Sequence, residues 1–345
     1  MNSKKVVILV VLAGMLLFSL PLAAKKKKPA EPPKPVYIAP QVAAVFDADV
    51  ALRKNRNDIP MAYLRTLLLP AQQNQLYPAF IFQIKNADLN FAATAELPEL
   101  LKTKFHAFVR IYRLDQGNVP VGQIVKERYI PFDLEEAKAT FVPEAANYYS
   151  IAGDIFPAGN YLLALGISTL DFSKISACYQ EFTLPDFSQL KGKLDTTPIF
   201  SVRSLQQLPA PDTKVIIHKN SFIYSTLLLD PNLSNEFKAG ENLDLFYFVI
   251  GAAADPQTSA YNIQVTYRFK KDGKEIVKLS PISLNSMVVS QPIPFSFTEV
   301  TRDAKGNEKG RSEKKLEPGE YVLGIELLDN VSKATGLKEF TFKIV

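Results

Sequence analysis

The sequence predicts an all-β protein: two tandem antiparallel β-sandwich domains behind a signal peptide and a Lys/Pro-rich linker. Three observations predict it. Apolar residues alternate with period two in several runs, motifs recur in the same order at a near-constant offset, and proline outnumbers glycine 24 to 15 beside 23 Phe and 14 Tyr, a usage that leans toward strands joined by turns. A length of 345 residues suits two domains of about 150 residues each better than one core. At 47% hydrophobic and 22% charged, the composition excludes wholesale disorder and a polytopic membrane protein.

The N-terminus carries Lys4 and Lys5, the apolar run Val6 to Phe18, then Ser19, Pro21 and the small pair Ala23 and Ala24. This is the layout of a secretory signal. The run is shorter than the roughly 20 residues a spanning helix requires, and Pro21 interrupts it. Residues 1–24 are therefore read as a signal peptide cleaved near Ala24, and the protein as exported: periplasmic, secreted or cell-surface. Leu22 stands where a small residue is usual and four lysines follow, which opposes translocation. An uncleaved anchor stays open as the alternative, and it would be the chain's one link to a membrane. No cysteine follows the run to carry a lipid. Residues 25–40, with KKKKPAEPPKP, read as an extended spacer, or alternatively as a basic tether.

The rest of the chain repeats itself. TLLLP at Thr66 to Pro70 recurs as TLLLD at Thr226 to Asp230, and FPAGNYLLALGI at Phe156 to Ile167 recurs as LEPGEYVLGIEL at Leu316 to Leu327. RIYRLDQG at Arg110 to Gly117 echoes TYRFKKDG at Thr266 to Gly273, and EFT recurs at Glu181 and Glu339. Ordered matches at offsets of 155 to 160 predict a duplicated domain. The expected domains are 41–188 and 200–345, joined by a linker at 189–199, and the stretch Pro185 to Pro211 is expected to pack them end to end.

Within each copy the patterns are those of strands. Tyr161, Leu163, Leu165 and Ile167 alternate, as do Tyr321, Leu323, Ile325 and Leu327, and Phe105, Ala107, Val109 and Ile111. Lys271-Asp272-Gly273 and Asp115-Gln116-Gly117 sit where hairpin turns belong. Val42 to Arg53 and Leu134 to Ala139 are the helix candidates. Antiparallel sheets each buried on one face are expected.

The stretches PAGNYLLALGI and EPGEYVLGIELLD, each followed by a loop and then EFTLP or EFTFKIV, resemble the closing hairpin of immunoglobulin-like and fibronectin-type-III-like sandwiches. The resemblance extends to β-sandwich modules of large exported bacterial proteins. It implies a structural role for Tyr161 and Tyr321 as corner tyrosines whose hydroxyls bond backbone a few residues upstream. The cysteine pair and buried tryptophan of antibody domains are absent, for the chain has one Cys and no Trp.

Candidate chemistry is sparse. Cys178 stands alone, so no internal disulfide can form, and its apolar surroundings predict a buried, inert thiol. His106 and His218 lie in different repeats without metal-ligand spacing. Asp47, Asp49 and Asp58 lack the glycine and closing glutamate of a calcium loop. No nucleophile-elbow, zinc-protease, phosphate-loop or dinucleotide fingerprint appears. No catalytic, cofactor or metal residue is therefore assigned. The net charge of +5 becomes −1 once Lys4, Lys5 and Lys25 to Lys28 are set aside, which argues against nucleic acid. Asn232-Leu233-Ser234 and Asn330-Val331-Ser332 formally match glycosylation acceptors.

The expectation is an exported, non-enzymatic structural or protein-interaction module with a protein partner in the cell envelope. Its candidate contact loops are the equivalent stretches Leu170 to Ala177 and Leu328 to Thr335. The alternative is carbohydrate binding on Tyr148, Tyr149, Tyr247 and Tyr261, and after it an enzyme with an unrecognised site.

Overall fold

The alternating runs form strands in the computed structural model, which describes residues 38–345 apart from 72–74, 115–119, 191, 211–216 and 303–307. The expected signal peptide and its cleavage near Ala24, nearly all of the 25–40 linker and the turn at Asp115 to Gly117 lie outside the described residues. The fold is all-β with several antiparallel sheets.

The first sheet runs in the order Arg56–Asn57, Ile175–Leu184, Gly159–Ser168, Leu100–Leu114, Ala92–Ala93, with Pro120–Ala137 also paired to Leu100–Leu114. The second runs Ile217–Lys219, Ala146–Ala152, Leu76–Lys85, Ala62–Pro70. The third runs Asp195–Thr196, Asn242–Ile250, Phe200–Gln207, Leu227–Asn232, Phe222–Tyr224, with Val288–Pro294 on Asn242–Ile250. The fourth runs Glu236–Phe237, Thr335–Ile344, Gly319–Asp329, Ile263–Lys271, Lys274–Lys278, with Ile282–Leu284 on Ile263–Lys271. A two-stranded hairpin, Ser296–Arg302 and Glu308–Lys315, stands apart.

Three apolar layers separate the four sheets. Phe80, Phe82, Tyr149, Val109, Ile111, Leu163 and Leu165 fill the space between the first and second. Leu243, Leu245, Tyr247, Val265, Phe269, Leu323 and Ile325 do so between the third and fourth. Between the second and third lie Leu67, Leu69, Ala79, Ile81 and Tyr148 on one side and Phe200, Phe222, Leu229, Phe246 and Phe248 on the other. The two middle sheets are thus buried on both faces, not on one as their antiparallel pairing led us to expect. The reason is written in LYPAFIFQI and LFYFVI: a strand covered on both sides is apolar at every position, so alternation disappears. The two halves consequently meet face to face rather than end to end, within one compact unit spanning Val36–Val345.

The two outer faces are solved differently. Phe108, Tyr112, Leu162 and Ala177 make the outer face of the first sheet apolar, and the helix Pro40–Asp49 covers it with Val42 and Phe46. Pro40 opens that helix at a position where a missing N–H costs nothing. The buried Arg110 guanidinium fastens it, bonding Asp47 at 2.6 Å and Glu127 at 2.6 Å while lying over the Phe46 ring. The outer face of the fourth sheet is instead a ladder of ion pairs, Arg268 with Glu275 and Glu326, and Lys270 with Glu339, which water covers. The other helix candidate, Leu134 to Ala139, finishes the strand Pro120–Ala137 and enters a short 3-10 turn at Lys138–Thr140.

The ladders refine the repeat. Tyr161 pairs with Phe182 and Tyr321 with Phe342, preserving the offset of 160. Ile111 faces Leu163 and Phe269 faces Leu323, so the preceding strand is offset by 158 where the sequence echo gave 156. An even slip keeps every side chain on its face. The TLLL match is not a structural equivalence. Leu67–Leu69 pair directly with Ala79–Tyr77, whereas Leu227–Leu229 pair with Gln207–Leu205, one strand further out. The counterpart of Ala62–Pro70 is Phe200–Gln207, and Pro60-Met61 with Arg65-Thr66-Leu67 recurs as Pro198-Ile199 with Arg203-Ser204-Leu205. The stretch carrying Ile217–Lys219 and the hairpin Phe222–Asn232 is therefore an addition to the second half. Its first strand pairs with Tyr149–Ile151 of the first half and its hairpin joins the third sheet, so it stitches the halves together. Within 189–199, Leu194 belongs to the second core and Asp195–Thr196 pair with Ile250 and Val249.

Candidate functional site

Each half of the chain closes with the same hairpin. Gly159 (φ 152°) and Gly319 (φ 147°) take a backbone conformation that side-chain-bearing residues avoid, and two residues later the chain places a tyrosine. The Tyr161 hydroxyl donates to the Pro157 carbonyl at 2.7 Å and that of Tyr321 to the Glu317 carbonyl at 2.6 Å. Their rings lie against Phe182 and Phe342 at 5.4 and 5.5 Å, both at 18°. These tyrosines hold the hairpins and are too deeply set to contact a ligand.

The loops at the far end of these hairpins differ in kind. In the second, Asp329 is fully buried and accepts from the Ser332 hydroxyl (2.5 Å) and from the Ala253 and Val331 amides (2.8 and 2.9 Å). Burial pushes its carboxyl up, but the hydrogen bonds outweigh burial and hold it below the ordinary range. That loop is folded around its own anchor. In the first, Asp171 stays outside and caps the turn through Thr169 and Ser173, which hold its carboxyl at about 2. Of the apolar residues beside it, Leu170 turns outward and is 54% exposed, whereas Phe172, at a left-handed φ of 57°, folds back onto the sheet. The half-buried Phe172 ring lies on His106 at 5.2 Å, and His106 in turn neighbours Tyr129 at 5.1 Å.

Next to this loop a hollow of about 350 Å³ opens, lined by Ile59, Leu89, Ala92, Phe105 and Leu170 among others. Thr103 in its wall donates to the Leu89 carbonyl. Lys102 and Lys104 border it, each neutralised by a cross-strand carboxylate, Glu135 or Asp133. This end of the first half thus presents an apolar recess flanked by an outward Leu170. Beside the second loop a hollow of about 430 Å³ is lined by Leu194, Gly336 and Leu337 together with Lys193, Asp195 and Lys338, and the last two pair at 2.7 Å.

The remaining candidate residues are dispersed. His218 sits on the short strand opposite Ser150, away from the ring group around His106. Cys178 is packed into the first core, and burial pushes its thiol up to about 12. Asp47 is taken by Arg110, and Asp58 by Arg56 at 2.8 Å and the Ile175 amide at 3.1 Å. Among the described residues, no three or more His, Cys, Asp or Glu side chains are grouped to hold a metal ion. Tyr148, Tyr149 and Tyr247 are buried, because they lie on the middle sheets, and so cannot serve as exposed sugar platforms. Tyr261 is half-buried. Asn232 is also buried, its amide donating to the Glu236 carbonyl. The sequence reading missed the His106, Tyr129 and Phe172 group. The two-residue spacing of His106 and Phe108 on one strand face was the available signal.

The fold and this loop end define the chain as an all-β, multi-sheet protein compatible with immunoglobulin-like modules. No family model matches it, and no curated protein does. Among solved structures, a mutant of Salmonella alpha-2-macroglobulin is similar at 9% identity and a TM-score of 0.17, over 82% of this chain and 16% of that one. So low a score carries no argument about fold or activity. No helix among the described residues is long and apolar enough to cross a membrane, which says nothing of strands.

Proposed function

We propose that this chain is an exported, non-enzymatic β-sandwich protein that acts as a structural or protein-interaction module of the cell envelope. On this reading it belongs with the immunoglobulin-like modules of exported proteins, and its partner is a protein held at the loop end of the first sandwich. One observation carries the reading: of two loops at equivalent positions, the second is closed around buried Asp329 while the first presents Leu170 beside an apolar recess. Loops on a rigid sandwich are where such folds place their contacts, and an apolar anchor filling a recess is the usual centre of a protein interface.

The test is a crosslinking pull-down of the tagged protein from the native envelope fraction, run beside Leu170→Asp, with the mature N-terminus read by mass spectrometry. Recovery of one protein with the wild type and its loss with Leu170→Asp, together with cleavage near Ala24, is the expected result. Equal recovery with both proteins removes the loop end from the interface, and recovery of glycan instead of protein overturns the reading. An intact N-terminus overturns the cleaved, exported form.

A further inference from the structure

We infer that the recess beside Leu170 is a break in a β-lane, and that it takes a three-residue extended segment of a partner protein whose backbone pairs with Lys104. This rests on the proposed use of that loop end and names the chemistry of what docks there.

The break is written in the strand registers. On one side of Leu100–Leu114 two different strands fill the neighbouring lane. Gly159–Ser168 pairs with it from Ser168 opposite His106 onward, and Ala92–Ala93 pairs with Lys102 and Leu101. Both run antiparallel to it, so together they form one lane in which the places opposite Thr103, Lys104 and Phe105 are unfilled. Continuing either register would bring Leu170 or Asn90 opposite Lys104. Neither arrives. The Thr169 amide bonds instead to the Lys174 carbonyl at 3.2 Å, and the turn carries Leu170 outward. Asn90 ends the short helix Asn86–Leu89 at a left-handed φ of 51°. The hollow of about 350 Å³ lies on this break, with Ala92 at one flank, Thr169 at the other and Lys102 to Phe105 along its floor. The second half has no such break, because its counterpart strand at an offset of 158 begins at Ile263 opposite Asp329, the place equivalent to Phe105.

The backbone says what the break offers. The Lys138 amide donates to the Glu99 carbonyl at 2.8 Å, and the register with Pro120–Ala137 runs unshifted from Leu100 to Ile111. In an antiparallel ladder alternate residues turn their N–H and C=O to opposite neighbours. The odd-numbered residues therefore bond to Pro120–Ala137, and Lys102, Lys104 and His106 face the lane. Lys102 has Ala92 opposite and His106 has Ser168. No backbone hydrogen bond joins Lys104 to Asn90 or Leu170. Its N–H and C=O thus stand at ladder spacing between two paired neighbours, the arrangement that an added strand completes. The pleat then fixes the side chains of the occupant. Lys104 is exposed while Thr103 and Phe105 are buried, so a residue opposite Lys104 points outward. The residues on either side of it point inward, toward Ile59, Leu89 and Phe105. The occupant is therefore extended and apolar at its first and third positions.

The test uses the full chain and a capped peptide, Ac-Val-Thr-Val-NH2, beside the same peptide N-methylated at its central residue. Without peptide, the Lys104 amide is expected to exchange with solvent many-fold faster than the Thr103 and Phe105 amides, which are bonded to the opposite strand. The peptide at millimolar concentration is expected to slow Lys104 exchange several-fold and saturably, and the methylated peptide, which lacks the pairing N–H, to leave it unchanged. Lys104→Pro removes the N–H that faces the lane, and it should abolish the shifts that the peptide induces at the Thr169 and Leu170 amides. Lys104→Ala should retain them. Where Lys104→Pro does not fold, the methylated peptide makes the same comparison on the wild type. Slow Lys104 exchange without peptide, no slowing with it, or equal slowing by the methylated peptide overturns the inference. A failed pull-down with intact peptide binding sinks the envelope-partner reading alone, and a Leu170-dependent pull-down with an inert peptide sinks the lane alone.

Discussion

Phe246 is the most direct handle on the face-to-face union of the two halves. It is fully buried in the middle layer, 5.4 Å from Phe200 and 5.5 Å from Phe248. Phe246→Ala deletes a ring that the flanking β-sheets cannot move in to replace, at a cost of about 3–5 kcal/mol. The size of the melting shift then reports how much chain melts with it. At roughly 2.1 cal/mol/K per residue, a unit of about 310 residues (Val36–Val345) has an unfolding entropy near 0.65 kcal/mol/K. The same loss lowers Tm by about 5–8 °C if both halves unfold together. Were the second half, of about 150 residues, to melt alone, the drop would be about 10–16 °C in one transition and nothing in another. Differential scanning calorimetry separates these outcomes. One shifted endotherm is predicted, and two transitions with only one displaced would refute the shared core.

The corner tyrosines give a matched pair. Tyr161→Phe and Tyr321→Phe each remove one hydrogen bond to a backbone carbonyl, so each should cost about 1 kcal/mol in urea denaturation, and the double variant should be additive because the two sites sit in separate cores. Arg110→Met should loosen the helix Pro40–Asp49 by roughly 2 kcal/mol. The loss is held down because Asp47 is 66% exposed and rehydrates, and raised hydrogen exchange confined to that helix is the check. Cys178, with its thiol pushed up to about 12 by burial, should resist a disulfide reagent at pH 8 until the protein is unfolded, and rapid native labelling would contradict its place in the core.

Much of this fold was legible, and the exceptions have physical causes. Tyr161 and Tyr321 could be found because the turn, glycine and alternating strand that surround them are all local and are repeated with identical spacing. The double burial of Leu76–Lys85 and Asn242–Ile250 was visible as unbroken apolar runs, yet such runs do not say what covers the second face. TLLL misled because an apolar strand anywhere in a sandwich is built from the same few residues, and only the ladder shows that Leu227–Leu229 is one strand displaced. At the candidate site, the loop at Leu170 could be named from the repeat. Its difference from the loop at Leu328 could not, since that depends on whether Asp171 or Asp329 meets buried amides from distant chain such as Ala253. The seat of Phe172 on His106 is likewise a contact between residues far apart in sequence.

Site-specific photo-crosslinking tests the central claim most directly. A photoreactive residue placed at Leu170, beside the recess, is compared in intact cells with one placed at Leu337, which is 61% exposed on the second sandwich. The account predicts a single discrete protein adduct from position 170 and none from position 337. Equal labelling at both, or an adduct from 337 alone, would contradict it.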